Sequence, residues 1–341
     1  MKFNRKPIVV TMGEPSGISS EIIIKTWIQR NIKKIPPFVL IDDLSKLKKV
    51  NDFFRLNAKF HSLKSTEDPS KIFNRSIPVI DLEVNIKVCL GSPDKKNSKH
   101  VIESINQAYE LIQKKKASAM LTLPVCKRTL KNANFFFPGQ TEYLSDLVKK
   151  KTGITRSEIM ILSTTKPVDK GKNLIVGLVT THISLKEIIK KINRPIVEKK
   201  ITAFKRSLSN IWNIKLPRIG ITSINPHAGE GGLIGDEEIR LIEPIIKDFR
   251  KKGVRIFGPL SSDSCFSKTK RMEFDGILCF YHDQGLIPVK TLDFENSINI
   301  TGGLPFLRVS PDHGPAFDIA NKNVASIESL VASFKFLERM I

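Results

Sequence analysis

Hydrophobic and polar positions along the chain follow two alternating periods. Short apolar runs rich in β-branched residues recur between longer stretches with helical spacing. Runs of this kind are strands buried on both faces of a largely parallel sheet. The pattern predicts strands over Lys6 to Thr11, Phe38 to Ile41, Ile77 to Asp81 and Ala119 to Thr122. It predicts helices from about Ser20 and over Ser98 to Lys115, Leu185 to Ile192, Pro195 to Trp212, Asp236 to Lys252 and Ile327 to Arg339. Strand and helix signals in this order specify an α/β fold with helices covering both faces of a sheet. At 341 residues the chain exceeds the usual length of one domain. No repeat, low-complexity segment or long Pro/Gly/Ser linker divides it, so any boundary is a chain crossing between packed lobes.

Three further apolar runs each end in a histidine: Val176-Gly177-Leu178-Val179-Thr180-Thr181-His182, Ile219-Gly220-Ile221-Thr222-Ser223-Ile224-Asn225-Pro226-His227 and Gly276-Ile277-Leu278-Cys279-Phe280-Tyr281-His282. They account for half of the six histidines. Parallel strands place their carboxyl ends along one edge, where ligands bind. Singly, each histidine reads as a hydrogen-bonded loop residue. Their repeated placement points to a three-histidine metal site, since imidazole suits first-row divalent ions and three protein ligands leave a coordination position open.

Charge raises a second possibility and then weakens it. The formal charge of +22 suggests nucleic acid, because clustered Lys and Arg mark phosphate-backbone binding. Here the lysines are scattered in short groups such as Lys46-Leu47-Lys48-Lys49 and Lys114-Lys115-Lys116. No aromatic-interleaved basic strand, zinc-finger spacing or RNA-recognition motif accompanies them, so no nucleic-acid partner is expected. The four cysteines show no CxxC spacing, which predicts a reducing compartment with thiols that are not ligands. The opening Met1 to Pro7 runs into Ile8-Val9-Val10, too short for a signal or a membrane span. A cytoplasmic protein with no membrane partner is expected.

Glycine-rich segments supply the remaining candidate chemistry. Gly13-Glu14-Pro15-Ser16-Gly17 lacks the spacing of a dinucleotide or P-loop motif and reads first as a tight strand-to-helix connection. In Asn225-Pro226-His227-Ala228-Gly229-Glu230-Gly231-Gly232-Leu233-Ile234-Gly235, four glycines after a strand permit positive φ and close backbone approach to a ligand. A third dense segment starts at Tyr281-His282-Asp283-Gln284-Gly285 and continues through Lys290, Asn299, Arg308 and Asp312-His313-Gly314. A lysine, an asparagine and an arginine after a metal-type histidine suit a phosphate- or carboxylate-bearing substrate.

Together these segments resemble the PdxA family of 4-hydroxythreonine-4-phosphate dehydrogenases. The resemblance runs nearly end to end, adding Thr122-Leu123-Pro124-Val125-Cys126-Lys127, Gly139-Gln140-Thr141-Glu142, Gly258-Pro259-Leu260 and Asn299-Ile300-Thr301 to the segments above. It implies an isocitrate/isopropylmalate-dehydrogenase-like fold of two α/β lobes, each a largely parallel sheet flanked by helices. Residues 1-125 with about 300-341 would form the first lobe. Residues from about 126 to 299 would form the second, carrying the metal histidines and the dimer interface. It further implies NAD or NADP, one divalent ion (zinc, magnesium or cobalt), and a homodimer in which His182 and His227 of one subunit meet the partner's copy of His282.

Carried over by position, the substrate-binding residues are Gln140, Thr141, Lys290, Asn299 and Arg308. Asp283, beside His282, and Asp263 are candidates to orient a ligand or relay a proton. The chain departs from the family at Gln140, where histidine is usual, and at Leu123 and Ser19, where glycine is commoner. The implied reaction oxidises the substrate's C3 hydroxyl to a β-keto acid that decarboxylates to 3-amino-2-oxopropyl phosphate, in pyridoxine 5'-phosphate (vitamin B6) biosynthesis. Two alternatives remain: a sister dehydrogenase acting on 4-phosphoerythronate or 4-phosphothreonate, and a catalytically silent or nucleic-acid-binding protein on the same fold.

Overall fold

A computed structural model describes residues 6–341. The expectation of no export signal falls partly on residues 1–5, which lie outside the described residues. The chain divides into two compact units, one taking in the chain up to Gln140 with Phe306–Ile341, the other Thr141–Pro305. The crossings thus fall at 140/141 and 305/306, where the sequence places them near 125 and 300.

In the first unit six strands lie in the order β3 (Phe60–Ser62), β4 (Ile77–Asp81), β2 (Phe38–Asp42), β1 (Ile8–Thr11), β5 (Ala119–Thr122) and β12 (Arg308–Pro311). All five pairings are parallel. β1, β2 and β5 are buried along their whole length, as runs without polar alternation require. Helices Ser19–Ile28, Leu44–Phe53, Ser98–Gln113 and Glu328–Met340 belong to this unit.

In the second unit the order is β11 (Ser297–Gly302), β6 (Ile159–Thr164), β7 (Ile175–Leu178), β10 (Gly276–Cys279), β8 (Ile219–Thr222) and β9 (Ile256–Leu260). β6 runs antiparallel to both neighbours, and the other pairings are parallel. Two helices cover opposite faces of this sheet, and glycines mark where each approaches. A Cβ on Gly177 or Gly276 would lie 2.7–2.8 Å from the ring of Phe204, on helix Arg194–Trp212. A Cβ on Gly285, in helix His282–Leu292, would lie 2.6 Å from Leu178 and 2.9 Å from Val176. Residues 176 and 178 face opposite to 177 in a strand of period two, so the helices sit on different faces.

Local chemistry explains the element ends. Helix Arg194–Trp212 starts where the Asn193 side chain accepts from the Ile196 N–H at 3.1 Å, and it stops at Asn213 in a left-handed conformation. The helix expected over Asp236 to Lys252 is instead a π-turn, Glu238–Ile242, leading into an α-helix over Glu243–Lys251. Pro244 has no N–H to donate to the carbonyl four residues back, and the ladder widens there.

Candidate functional site

The strand order brings the histidine-ended runs together. β7, β10 and β8 are adjacent and parallel, so His182, His227 and His282 all follow the carboxyl edge of one sheet. Beyond the strands, Val179 N donates to Cys279 O at 2.8 Å, and the Thr180 hydroxyl donates to Phe280 O at 2.6 Å. This extension carries the His182 ring to within 5.4 Å of the His282 ring, centroid to centroid. His227 follows β8 in a left-handed conformation (φ 50°), the first of six consecutive residues with positive φ. Only the glycines among them take that conformation without strain. Among the described residues of one chain, no three His, Cys, Asp or Glu side chains close into a metal-holding cluster.

Both candidate aspartates stand beside a histidine. Asp283 Oδ1 lies 2.7 Å from His282 Nδ1, an arrangement that orients the ring and leaves Nε2 as the nitrogen able to take a metal. Asp263 accepts from the Ser261 hydroxyl at 2.6 Å, and that bond, with the nearby His227, holds its carboxyl below the usual range. A histidine with one ring nitrogen oriented by a carboxylate, as His282 has, suits a divalent ion at the other.

Two buried side chains that sequence reasoning missed set this edge in place. Gln284 uses its whole amide. Its Oε1 accepts from the Thr222 hydroxyl and from Phe280 N, each at 2.8 Å. Its Nε2 donates to Ser223 O at 2.7 Å and to the Ser262 hydroxyl at 2.8 Å. One residue thereby ties together the ends of β8 and β10 and the 261–263 turn. Glu238, fully buried, accepts from Ile224 N at 2.7 Å, from Asn225 N at 2.9 Å and from Asn225 Nδ2 at 2.8 Å, setting the path into His227. The only sequence signal for either was its place beside a histidine-bearing motif.

The substrate candidates divide between the units. Thr141, Lys290 and Asn299 belong to the second. Thr141 Oγ1 lies 3.2 Å from Thr301 Oγ1, and Lys290 Nζ sits 5.1 Å above the Phe294 ring. Asn299 Oδ1 is buried without a hydrogen-bond partner among the described residues. Gln140 and Arg308 belong to the first unit. Arg308, 4 % exposed, donates from Nε and Nη2 to the Thr122 hydroxyl at 3.0 and 2.6 Å. Gln140 Nε2 donates to Leu123 O at 3.3 Å, while its Oε1 is buried with no partner among the described residues. Buried amide oxygens left in this way are where a ligand's donor or an ordered water is needed.

The Gly13–Gly17 turn is a tight connection. A Cβ on Gly13 would meet Ser19 Oγ at 2.1 Å, and one on Gly17 would meet the Pro315 carbonyl at 2.7 Å. Around it the hydroxyls of Thr11, Ser16 and Ser20 are buried without partners among the described residues.

Comparison with known proteins extends the match to nearly the whole chain. Residues 33–337 match the family described as pyridoxal phosphate biosynthetic protein PdxA. A 4-hydroxythreonine-4-phosphate dehydrogenase of Methylorubrum populi is 35 % identical over 342 aligned positions, covering 100 % of this chain and 96 % of that protein. Among solved structures, a 4-hydroxythreonine-4-phosphate dehydrogenase from Klebsiella pneumoniae is 34 % identical with a TM-score of 0.81, covering 98 % of this chain and 99 % of its own. One from Burkholderia phymatum is 31 % identical with a TM-score of 0.76, covering 98 % of each chain.

Proposed function

The chain belongs to the PdxA family of pyridoxal phosphate biosynthetic proteins, and on that footing we propose that it is a 4-hydroxythreonine-4-phosphate dehydrogenase. The reaction oxidises the C3 hydroxyl of 4-phosphooxy-L-threonine with NAD(P)+, giving a β-keto acid that loses CO2 to form 3-amino-2-oxopropyl phosphate. The observation that carries this reading is the placement of His182, His227 and His282 at three neighbouring parallel strand ends. A divalent ion held by these imidazoles supplies Lewis acidity to the substrate oxygen.

The chain's own residues do the rest. Asp283 orients His282 through Nδ1. Asp263, kept ionised, is available to accept the proton that leaves the hydroxyl. Lys290 and Arg308 hold the phosphate, because cations at partly dry sites form charge-assisted hydrogen bonds that neutral groups cannot match. Thr141, Asn299 and Gln140 complete the substrate contacts, and the buried oxygens of the latter two call for donors such as the substrate's ammonium or hydroxyl. The partnerless hydroxyls of Thr11, Ser16 and Ser20, at the carboxyl end of β1, fit the polar part of a dinucleotide.

A homodimer with a shared site fits the surface. Each histidine segment carries an exposed large apolar residue: Leu185 (70 % exposed), Leu233 (86 %) and Ile287 (63 %). Exposed apolar groups on all three of these segments favour cover by a second subunit. All four cysteines are free, in keeping with a cytoplasmic enzyme. No helix among the described residues is long and apolar enough to cross a membrane.

The test is NAD(P)H production from 4-phosphooxy-L-threonine beside 4-phosphoerythronate and 4-phosphothreonate. Turnover of the first, abolished by a chelator and restored by a divalent ion, supports the reading. Preference for either of the others assigns the chain to the sister activity, and turnover of none rejects a dehydrogenase.

A further inference from the structure

Helix Arg194–Trp212 forms one wall of a cavity of about 600 Å³, closed by the 155–157 segment before β6 and by the end of helix Glu243–Lys251. It lies on the sheet face opposite helix His282–Leu292, the helix that begins with a metal-candidate histidine. Besides Arg194, which pairs with Glu198 and Asp248, four cations line it: Arg156, Lys199, Arg206 and Lys252. Among the described residues none of the four has an ion pair with a carboxylate, and Lys252 makes only a cation–π contact, 5.5 Å above the Phe249 ring. The one acidic residue of the lining, Glu198, is already held by Arg194 at 2.9 Å. Arg156 Nε is buried without a hydrogen-bond partner among the described residues.

We propose that this groove binds a small polyphosphate, either free triphosphate or the triphosphate of a nucleotide. Like charges gathered at a concave surface raise the local potential and draw in an anion that neutralises them. Guanidinium forks such as those of Arg156 and Arg206 match phosphate oxygens two at a time. Lys199 and Arg206 lie two helical turns apart, roughly 10 Å along the axis, further than one phosphate group spans. A chain of phosphates reaches both. Thr155 and Ser157 line the same cavity, and their hydroxyls are able to donate to phosphate oxygens. The one aromatic ring of the lining, Phe249, is buried, so charge rather than stacking carries the recognition.

Calorimetric titration of the full-length protein with sodium triphosphate, and separately with a non-hydrolysable adenosine triphosphate analogue, tests the proposal at physiological salt. One saturable site per chain is expected. Losing two charge-assisted contacts in the Lys199→Ser/Arg206→Ser variant weakens binding at least about tenfold. Lys95→Ser/Lys96→Ser removes equal charge from an exposed turn elsewhere and leaves affinity within about twofold. Lys290→Gln, which alters the proposed substrate site, also leaves it. Equal binding of the two probes assigns recognition to the phosphates alone. Tighter binding of the analogue assigns the nucleotide as the source. Three results overturn the proposal: no saturable binding, equal loss in the groove and control variants, or loss in Lys290→Gln, which would place the anion at the substrate site.

Discussion

Gln140 donates from Nε2 to the main-chain carbonyl of Leu123 at 3.3 Å, so two of the positions where this chain departs from its family touch each other. One of its two amide N–H groups is thus used, and Gln140 offers a ligand the second N–H and the partnerless acceptor Oε1. The partnerless Oε1 suits a donor on the substrate, and the remaining N–H suits an acceptor such as a phosphate oxygen.

Histidine at this position can keep both functions, donating from one ring nitrogen to Leu123 O and accepting at the other. Gln140→His is therefore expected to change kcat/KM by less than about threefold near pH 8, where imidazole is neutral. Substrate KM of the native protein should show no gain traceable to residue 140 as pH falls through about 6.5. A pH profile of KM for both proteins checks this. A steep acid-side improvement confined to the histidine variant would show that positive charge at this position matters.

The distribution of the metal ligands is open to a mixing experiment. If His282 is contributed by the partner subunit, subunits carrying His182→Ala and His282→Ala, each inactive alone, regain activity on exchange. Statistical mixing in a two-fold dimer gives roughly a quarter of the wild-type rate, since half the dimers are mixed and each has one intact site. The 5.4 Å approach of the two rings within one chain supplies the rival arrangement. If that pair ligates together, the His182→Ala/His282→Ala mixture stays silent, while His182→Ala with His227→Ala recovers.

Much of this was legible from period and spacing. The β-branched runs located β1, β2, β4, β5, β7, β8 and β10, and three of them lead into the histidines of the candidate site. The order of the strands was not legible, because β7, β10 and β8 are neighbours through crossovers that no local pattern encodes. Nor was the reversal of β6, whose apolar run Ile159–Thr164 looks the same in either direction. Gln284 and Glu238 escaped for another reason. A buried amide or carboxylate is recognised by the four or three hydrogen bonds it collects from distant segments, and sequence shows only its neighbours.

Thr122 is expected to act on the substrate through Arg308. Its hydroxyl accepts from both Nε and Nη2 of that buried guanidinium, fixing the direction of the fork. Thr122→Val keeps the shape and removes the acceptor. Stability should fall by roughly 2 kcal/mol, because buried donors lose their partner. If Arg308 holds phosphate, KM for the phosphorylated substrate should also rise about tenfold, with the KM for NAD(P)+ and kcat little changed. Loss of stability with an unchanged substrate KM would make Arg308 a structural residue only.

Glu14 gives the chain a pH-dependent weakness. Its carboxyl is 3 % exposed, and burial pushes its pKa above 4.5. Bonds from Ser16 N at 3.4 Å and the Thr129 hydroxyl at 3.2 Å, with the nearby charge of Lys46, pull in the other direction but do not prevail, and Asp94 adds to the upward push. A carboxyl with a raised folded-state pKa binds its proton more tightly folded than unfolded. Its stabilising contribution is complete below 4.5, the unfolded value, and is lost as pH rises through the raised folded value. Glu14→Gln resembles the protonated form at every pH. Relative to the native protein, the variant should therefore gain stability as pH rises from 4.5 toward neutrality and level off once the native carboxyl is ionised. Urea unfolding of both proteins from pH 4 to pH 8 measures the difference. A gap that stays constant over that range, or narrows as pH rises, would show that Glu14 is held in its charged form after all.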